Sequence, residues 1–236
     1  MGRLAAQGPV FARARGIALY LIHLDPDGKD VMRTLATFVA GLIVALALAA
    51  CHKTVSQTVT SEDMSMGNAN AKVTMVEYAS VACPVCANFN NTVFPAFKAK
   101  YIDTGKVRYI AREALVHDPA LAAAGFLMAR CAGKDKYFQV VDAIYHQQQD
   151  LESSADPRAI LLNIARSAGL TDAQFDACIK DPDALKAVQE RWDRYVTQDH
   201  INATPTFVIN GKVYDKGEMS LPDLDAAVAQ AQASAK

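Results

Sequence analysis

Cys83-Pro84-Val85-Cys86 is a pair of cysteines separated by two residues, and the sequence on either side gives it a defined setting. Residues 72–78 (KVTMVEY) precede it and are rich in β-branched and aromatic side chains, a composition that predicts a strand. Apolar residues after it recur at helical spacing and predict a helix to about Tyr101, kinked at Pro95. The cysteine pair therefore lies where a strand passes into a helix.

This setting predicts a reactive thiol at Cys83. With Cys83 at the N-cap and Pro84 at the first helical position, the sulfur faces unpaired backbone N–H groups and the positive end of the helix dipole. Both stabilise a thiolate and lower its pKa, so Cys83 is the predicted nucleophile. Cys86 follows one turn later, within disulfide reach, and is the predicted resolving thiol. Val85 completes the active-site dipeptide with Pro84.

A CxxC pair also occurs in zinc sites, which need two further ligands. Cys131 and Cys178 are distant in sequence and not paired at ligand spacing, and the five histidines are scattered. We therefore predict no metal. A net charge of −1 provides no basic field for nucleic acid. The following aromatic residues are interpreted as core or groove residues rather than a cofactor site: Tyr101, Tyr109, Tyr137, Phe138 and Tyr145.

The remaining pattern is that of an α/β protein. Further strands are predicted at residues 106–113, 206–209 and 212–214, the last two joined by an Asn210-Gly211 hairpin turn. Helical patterns fill residues 118–199, and a last helix is predicted to start near Ser220 or Leu221. A short mixed sheet with flanking helices is expected.

Together these features resemble the DsbA-like branch of the thioredoxin superfamily over residues 71–231. A strand leads into CPxC, helices are inserted, and Ala203-Thr204-Pro205-Thr206-Phe207 precedes the returning strand. The resemblance implies a thioredoxin fold with an inserted all-helical domain and no cofactor beyond a redox-active Cys83–Cys86 disulfide. It also implies a cis Pro205 against that disulfide, with the Thr204 backbone free to pair with an extended substrate.

Glu77, six residues before Cys83, corresponds in this resemblance to a buried acid beneath the active site. Burial in an apolar strand would raise its pKa by desolvation, and such a carboxyl group can accept the proton of Cys86 during exchange. The alternative is that Glu77 lies on a solvated strand face.

Residues 35–50 form an uncharged apolar run that ends at Cys51, the pattern of an export signal. Leu48-Ala49-Ala50-Cys51 resembles the lipobox of bacterial lipoproteins, which implies a lipid on Cys51 and a membrane tether. The alternatives are ordinary signal cleavage and an uncleaved anchor, for which the run is short. Residues 1–31 do not fit a signal, so we expect Met32 to be the true start.

Five cysteines in an exported chain leave one unpaired. If Cys51 carries lipid and Cys83 pairs with Cys86, the simplest remaining bond is a structural disulfide between Cys131 and Cys178. The alternative is that these two are buried free thiols that pack as small hydrophobic groups.

These interpretations divide the chain into a leader, a flexible tether, two parts of a thioredoxin fold and a helical insertion between them. The boundaries are 1–50, 51–70, 71–117, 118–199 and 200–236, the insertion being 118–199. We expect a membrane-anchored lipoprotein, periplasmic or extracytoplasmic, that acts as a monomer. Exported polypeptides are its expected substrates, and a redox protein of the membrane is its expected partner.

Three features of the sequence bear on the direction of exchange. Val85 replaces the histidine of the best-known oxidase motif, and Thr204 precedes the proline as in many isomerase-type relatives. Family isomerases, however, carry an N-terminal dimerisation domain, for which residues 52–70 are too short. We therefore predict an oxidase, with an isomerase or reductase as the alternative. A non-redox, lipid-anchored binding protein or chaperone is the alternative from another class.

Overall fold

The structure, a computed structural model, describes residues 59–235. The predicted leader, the start at Met32, the lipidation site Cys51 and the tether up to residue 58 lie outside the described residues. Within the described part of the chain, no helix is both long enough and apolar enough to cross a membrane.

Five strands form one mixed sheet in the order β1-β3-β2-β4-β5. The strands are β1 (Met64–Met66), β2 (Val73–Ala79), β3 (Val107–Glu113), β4 (Thr206–Ile209) and β5 (Lys212–Tyr214). The central strand β2 is parallel to β3 and antiparallel to β4, so that Glu77 lies opposite Ala111 and Phe207. Strands from both sides of the helical segment thus share one sheet.

Helices flank the sheet and fill the segment between β3 and β4. They are α1 (Pro84–Thr92), α2 (Phe94–Phe97), a π-helical turn (Lys98–Ile102), α3 (Pro119–Cys131), α4 (Lys134–His146), α5 (Gln148–Ser153), α6 (Pro157–Ser167), α7 (Asp172–Ile179), α8 (Pro182–Thr197) and α9 (Leu221–Ser234). Helices α3 to α8 occupy the predicted insertion, and no strand interrupts them. The predicted α/β thioredoxin fold with inserted helices is confirmed.

The helix predicted to run on from Cys83 is interrupted at Val93, where α1 ends and α2 begins. Pro95 is the second residue of α2. It has no N–H to donate, and its ring would clash with the carbonyl group four residues earlier, so α1 cannot continue through it. The break therefore has the predicted cause but falls two residues before the proline.

Part of the segment predicted as a tether is folded. Met64 is buried, and its strand β1 pairs antiparallel with β3, Met64 lying opposite Ala111. Gly67 then turns the chain at φ +88°, in a place where a Cβ would lie 2.6 Å from the carbonyl oxygen of Val107. The prediction of a flexible tether to residue 70 is wrong for this stretch. A three-residue strand is too short to show a periodic pattern, and its partner strand is distant in sequence.

Glu113, at the end of β3, links the sheet to the inserted helices. Its carboxylate is 1% exposed and accepts hydrogen bonds from Arg130 of α3 (2.6 Å), Tyr137 of α4 (3.1 Å) and Arg191 of α8 (2.8 Å). Removing one partner of such a buried ionic group is strongly destabilising, although the whole group adds little net stability. The cluster therefore fixes the position of three helices against β3.

The last helix packs as the sequence predicts. Ser220 is its N-cap and accepts a hydrogen bond from the backbone N–H of Asp223. Leu224, Ala227 and Val228 are buried. They join a cluster with side chains of β2 and β4, so α9 covers one face of the sheet.

Candidate active site

Cys83 is the N-cap residue of α1, and Pro84 occupies the first helical position. The backbone N–H of Cys86 donates a hydrogen bond to the Cys83 sulfur at 3.4 Å, so a sulfur fills the place that an oxygen usually takes at this cap. Both cysteines are free thiols in this structure, and both are fully buried. Pro84 and Val85 are exposed, so the dipeptide forms the outer surface of the site.

The Cys83 thiol is strongly acidic. Its pKa is lowered to about 5, chiefly because the Cys86 thiol donates a hydrogen bond to the Cys83 sulfur. Burial opposes this effect, while the Thr204 side chain, the Cys86 backbone N–H and the positive charge of His117 lower the pKa further. A sulfur with this pKa is a thiolate at neutral pH and can attack a disulfide.

Cys86 has the opposite character. Burial raises the pKa of its thiol well above the ordinary value, and the neighbouring Cys83 and Glu77 raise it further. Two sulfurs one turn apart on α1 are thus held in different protonation states. Chemically, one can act as a nucleophile while the other remains protonated until a base removes its proton.

The loop before β4 lies against the cysteine pair. The Thr204–Pro205 peptide bond is cis, and Pro205 is buried. The Cys83 sulfur lies 3.7 Å from the carbonyl oxygen of Thr204, to which it can donate only when it is protonated. The fold therefore brings together two segments that are 121 positions apart in the sequence.

Glu77 is buried in the middle of β2, with 4% of its surface exposed. Desolvation raises its pKa to about 7, against a hydrogen bond from the Tyr109 hydroxyl, at 2.6 Å, that lowers it. The charge of Cys83 adds to the rise. The alternative of a solvated strand face is wrong, because Glu77 is buried and its carboxyl group accepts a hydrogen bond from Tyr109 inside the fold. A carboxyl group of this pKa exchanges protons readily at neutral pH.

Two residues around the site were not predicted to act there. The sequence predicts Tyr109 only as a core or groove residue, whereas the parallel pairing of β3 with β2 places its hydroxyl on Glu77. His117 has a positive φ of 66° and follows Val116, whose carbonyl oxygen accepts a hydrogen bond from Ser80. Neither position has a local signal, because the register between distant strands and loops is not contained in local periodicity.

A disulfide joins Cys131, the last residue of α3, to Cys178 of α7. The alternative of two buried free thiols is therefore wrong, and Cys131 is in addition exposed. The bond links two helices of the insertion through cysteines that are 47 positions apart in the sequence.

Between residues 59 and 235, no group of three or more His, Cys, Asp or Glu side chains is arranged to hold a metal ion.

Comparisons with known proteins agree with this architecture. A family model described as "Thioredoxin" matches residues 59–229. A Rickettsia bellii protein named "Putative protein-disulfide oxidoreductase" is 33% identical over 150 residues, which are 63% of this chain and 57% of that protein. A Bacillus cereus protein named "Probable disulfide bond formation protein D" is 28% identical over 170 residues, covering 70% of this chain and 76% of that protein.

Solved structures show the same fold. The crystal structure of Wolbachia pipientis alpha-DsbA1 has a TM-score of 0.65 and 26% sequence identity, covering 75% of this chain and 94% of that one. The chain belongs to the thioredoxin family, and its inserted helices and this likeness make it a DsbA-like member. It spans a little more than half, 57%, of the length of the Rickettsia relative.

Proposed function

We propose that this protein is a thiol:disulfide oxidoreductase that oxidises exported polypeptides through Cys83 and Cys86. The observation that carries the proposal is the pKa of about 5 for Cys83, held at the N-cap of α1 beside the protonated Cys86. A stabilised thiolate favours the reduced enzyme, and an enzyme that is more stable when reduced acts as an oxidant. The names of the relatives, which refer to disulfide oxidoreductases and disulfide bond formation, point the same way.

The proposed reaction starts from the Cys83–Cys86 disulfide. A substrate thiolate attacks the Cys83 sulfur, the bond to Cys86 breaks, and a mixed disulfide forms between the substrate and Cys83. A second substrate thiolate then attacks the substrate sulfur of that mixed disulfide and releases Cys83 as a thiolate. The substrate loses two electrons as its disulfide forms, and the enzyme disulfide gains them.

Glu77 supplies and receives the proton in this scheme. Cys86 leaves as a thiolate and takes a proton from Glu77, because the buried Cys86 is far more basic. When a redox partner in the membrane reoxidises the enzyme, Cys86 must lose that proton again, and Glu77 is the base. Thr204 and Pro205 form the surface against which an extended substrate lies beside Cys83.

We further propose that the protein works as a monomer outside the cytoplasm, tethered by lipid on Cys51. The support is the sequence alone: the apolar run 35–50 and the lipobox-like residues that end at Cys51. Mass spectrometry of the mature protein is expected to find a lipidated Cys51 at the N-terminus, and Cys51→Ser is expected to release the protein from membranes. An unmodified N-terminus, or peptides from residues 3–31, would contradict the assignment.

The reduction potential of the Cys83–Cys86 pair tests the direction of exchange. A value near roughly −120 mV is expected for an oxidant, whereas one near roughly −270 mV would indicate a reductant. Oxidation of a dithiol peptide should be lost in both Cys83→Ser and Cys86→Ser, because neither variant can form the active-site disulfide that accepts the two electrons. A disulfide that exchanges with no thiol substrate would instead support a non-redox binding protein.

A further inference from the structure

A cavity of about 410 Å³ lies beneath α1, between the β2–β3 face of the sheet and the helices α2 and α4. Its volume is in the range of small-molecule pockets, roughly 300–1,000 Å³. Exposed residues of α2 and α4, among them Pro95, Gln139 and His146, border its opening. At the closed end lie the buried side chains of Glu77 and Tyr109. We call this space the Glu77 cavity.

Aromatic rings form the walls of the Glu77 cavity. The rings of Phe94 and Tyr109 are 4.9 Å apart between centroids, and those of Tyr109 and Phe138 are 5.9 Å apart. Tyr137 packs edge-on against Phe138 at 5.1 Å. All four residues line the cavity, so its walls are largely aromatic, and the ring contacts hold them in place.

Charged groups reach the cavity in a defined pattern. The carboxyl group of Glu77 is the acid at the closed end, and Tyr109 donates to one of its two oxygens. At the opening, Lys98 is paired with Asp103 at 2.6 Å, and Asp142 accepts from Asn90 at 2.9 Å. Arg112 of β3 also borders the cavity, and its guanidinium is paired with Asp63 at 3.3 Å and Asp199 at 3.1 Å. Beside that paired cation, the interior combines the buried acid Glu77 with aromatic side chains, surroundings that suit a cation with an apolar body.

We propose that the Glu77 cavity is a binding site for small aromatic amines, with the ammonium group on the Glu77 carboxylate and the ring among Phe94, Tyr109 and Phe138. Burial of a cation without a partner is very unfavourable, and here the carboxylate and the ring faces supply the partners. A neutral ligand of the same shape gains the apolar contacts but not the ion pair.

Binding of a cation by Glu77 links the site to pH. The ammonium group binds the ionised carboxylate, so affinity rises as Glu77 loses its proton, which happens near pH 7 because its pKa is about 7. The titratable groups that face Glu77 are Cys83 and Cys86 of α1, Tyr109 of β3 and Tyr145 of α4. At the opening the charged or titratable side chains are these: Lys98, Asp142 and His146. Because His146 borders the opening, a variant at this position separates its contribution from that of Glu77.

Calorimetric titration of the reduced full chain with phenethylamine, and with the neutral 2-phenylethanol as comparison, tests the proposal. We expect saturable amine binding that weakens about tenfold from about pH 8 to about pH 6, because the ionised fraction of a group with a pKa near 7 falls by that factor. Glu77→Gln should abolish this pH dependence and weaken amine binding at least tenfold at about pH 8. His146→Gln should keep both the affinity and the pH dependence of the wild-type protein.

Two further variants separate the cavity from the rest of the surface. Ala111→Leu places extra methyl groups in the cavity and should prevent binding, whereas Ala226→Leu, exposed on α9, should not. Glu77→Gln is nearly isosteric, so the test stands even if Ala111→Leu fails to fold. The proposal is overturned if the amine does not bind saturably, if it binds equally to Glu77→Gln, or if 2-phenylethanol binds as tightly. Binding is read without any exchange reaction, so this outcome is independent of the oxidase proposal.

Discussion

Cys83 owes its acidity to groups from separate parts of the chain: Cys86 one turn along α1, Thr204 before β4, and His117 after β3. Thr204→Val removes the side-chain hydroxyl group that donates a hydrogen bond to the Cys83 thiolate. We expect the pKa of Cys83 to rise by about one unit, since a hydrogen bond to a charged group contributes roughly 1.5–3 kcal/mol and one unit corresponds to about 1.4 kcal/mol.

Titration of the thiolate by its ultraviolet absorbance measures this change in the reduced protein. Thr92→Val is the matched control, because that hydroxyl group donates to the carbonyl oxygen of Asn88 within the same helix α1. An unchanged pKa of Cys83 in Thr204→Val would show that the threonine hydroxyl does not act on the sulfur.

Glu77 makes the stability of the fold depend on pH. Its pKa is raised from 4.5 to about 7, so the folded state holds the proton more tightly than the unfolded chain. Stability from this group is complete below pH 4.5 and is lost as pH rises through about 7. A shift of this size corresponds to about 3 kcal/mol.

Glu77→Gln removes the titrating group and keeps the hydrogen bond from Tyr109. We compare the free energies of unfolding of Glu77→Gln and the wild-type protein in the same redox state. The difference between them should shift in favour of the variant by about 3 kcal/mol between about pH 4.5 and pH 8, because only the wild-type protein loses stability as Glu77 ionises. Urea unfolding across this range measures the difference, and Glu77→Asp, which still titrates, is the control. A difference that is constant with pH would contradict the assigned pKa.

At the level of secondary-structure elements, helix α3 passes very close to the segment that leads into the active site. A Cβ on Gly125 would lie 2.9 Å from a methyl carbon of Val81, a fully buried residue two positions before Cys83. The end of the Ile144 side chain would be 3.2 Å away. The glycine therefore allows the insertion to pack directly on the catalytic segment.

Gly125→Ala tests this contact. Alanine is favoured over glycine in a helix by about 1 kcal/mol, whereas overpacking costs about 1–3 kcal/mol, so we expect a net loss of about 1 kcal/mol. In the Val81→Ala background the nearest clash is absent, and the same substitution should become neutral or stabilising. A double-mutant cycle by urea unfolding gives the coupling. Stabilisation by Gly125→Ala alone would contradict the close approach.

For the molecule as a whole, the Cys131–Cys178 bond restricts the unfolded chain more than it shapes the active site. Its loss in Cys131→Ser/Cys178→Ser should lower the free energy of unfolding by about 2–4 kcal/mol, the upper value following from loop-closure entropy. The bond joins α3 to α7, and neither cysteine contributes to the pKa of Cys83. The thiolate titration should therefore be unchanged. A large shift in that titration would instead indicate a role at the active site.

Several parts of the fold could be predicted from residues that are neighbours in the sequence. The N-cap at Cys83, the proline at the first helical position, the Asn210-Gly211 hairpin and the start of α9 all depend on residues within one turn of each other. Such features are readable because each is stabilised by its own neighbours. The order of strand, CPVC helix, inserted helices and hairpin followed from them.

Other features exist because distant segments meet. The raised pKa of Glu77 needs the burial of β2 between β3 and β4, and its contact with Tyr109 needs the register of two parallel strands. The short strand β1 is held by β3 in the same way. A sequence pattern records which face of an element is apolar but not which partner will cover it. The CPVC pair and its helix were therefore encoded locally, while the buried acid, its tyrosine and the cavity above them arose from long-range packing.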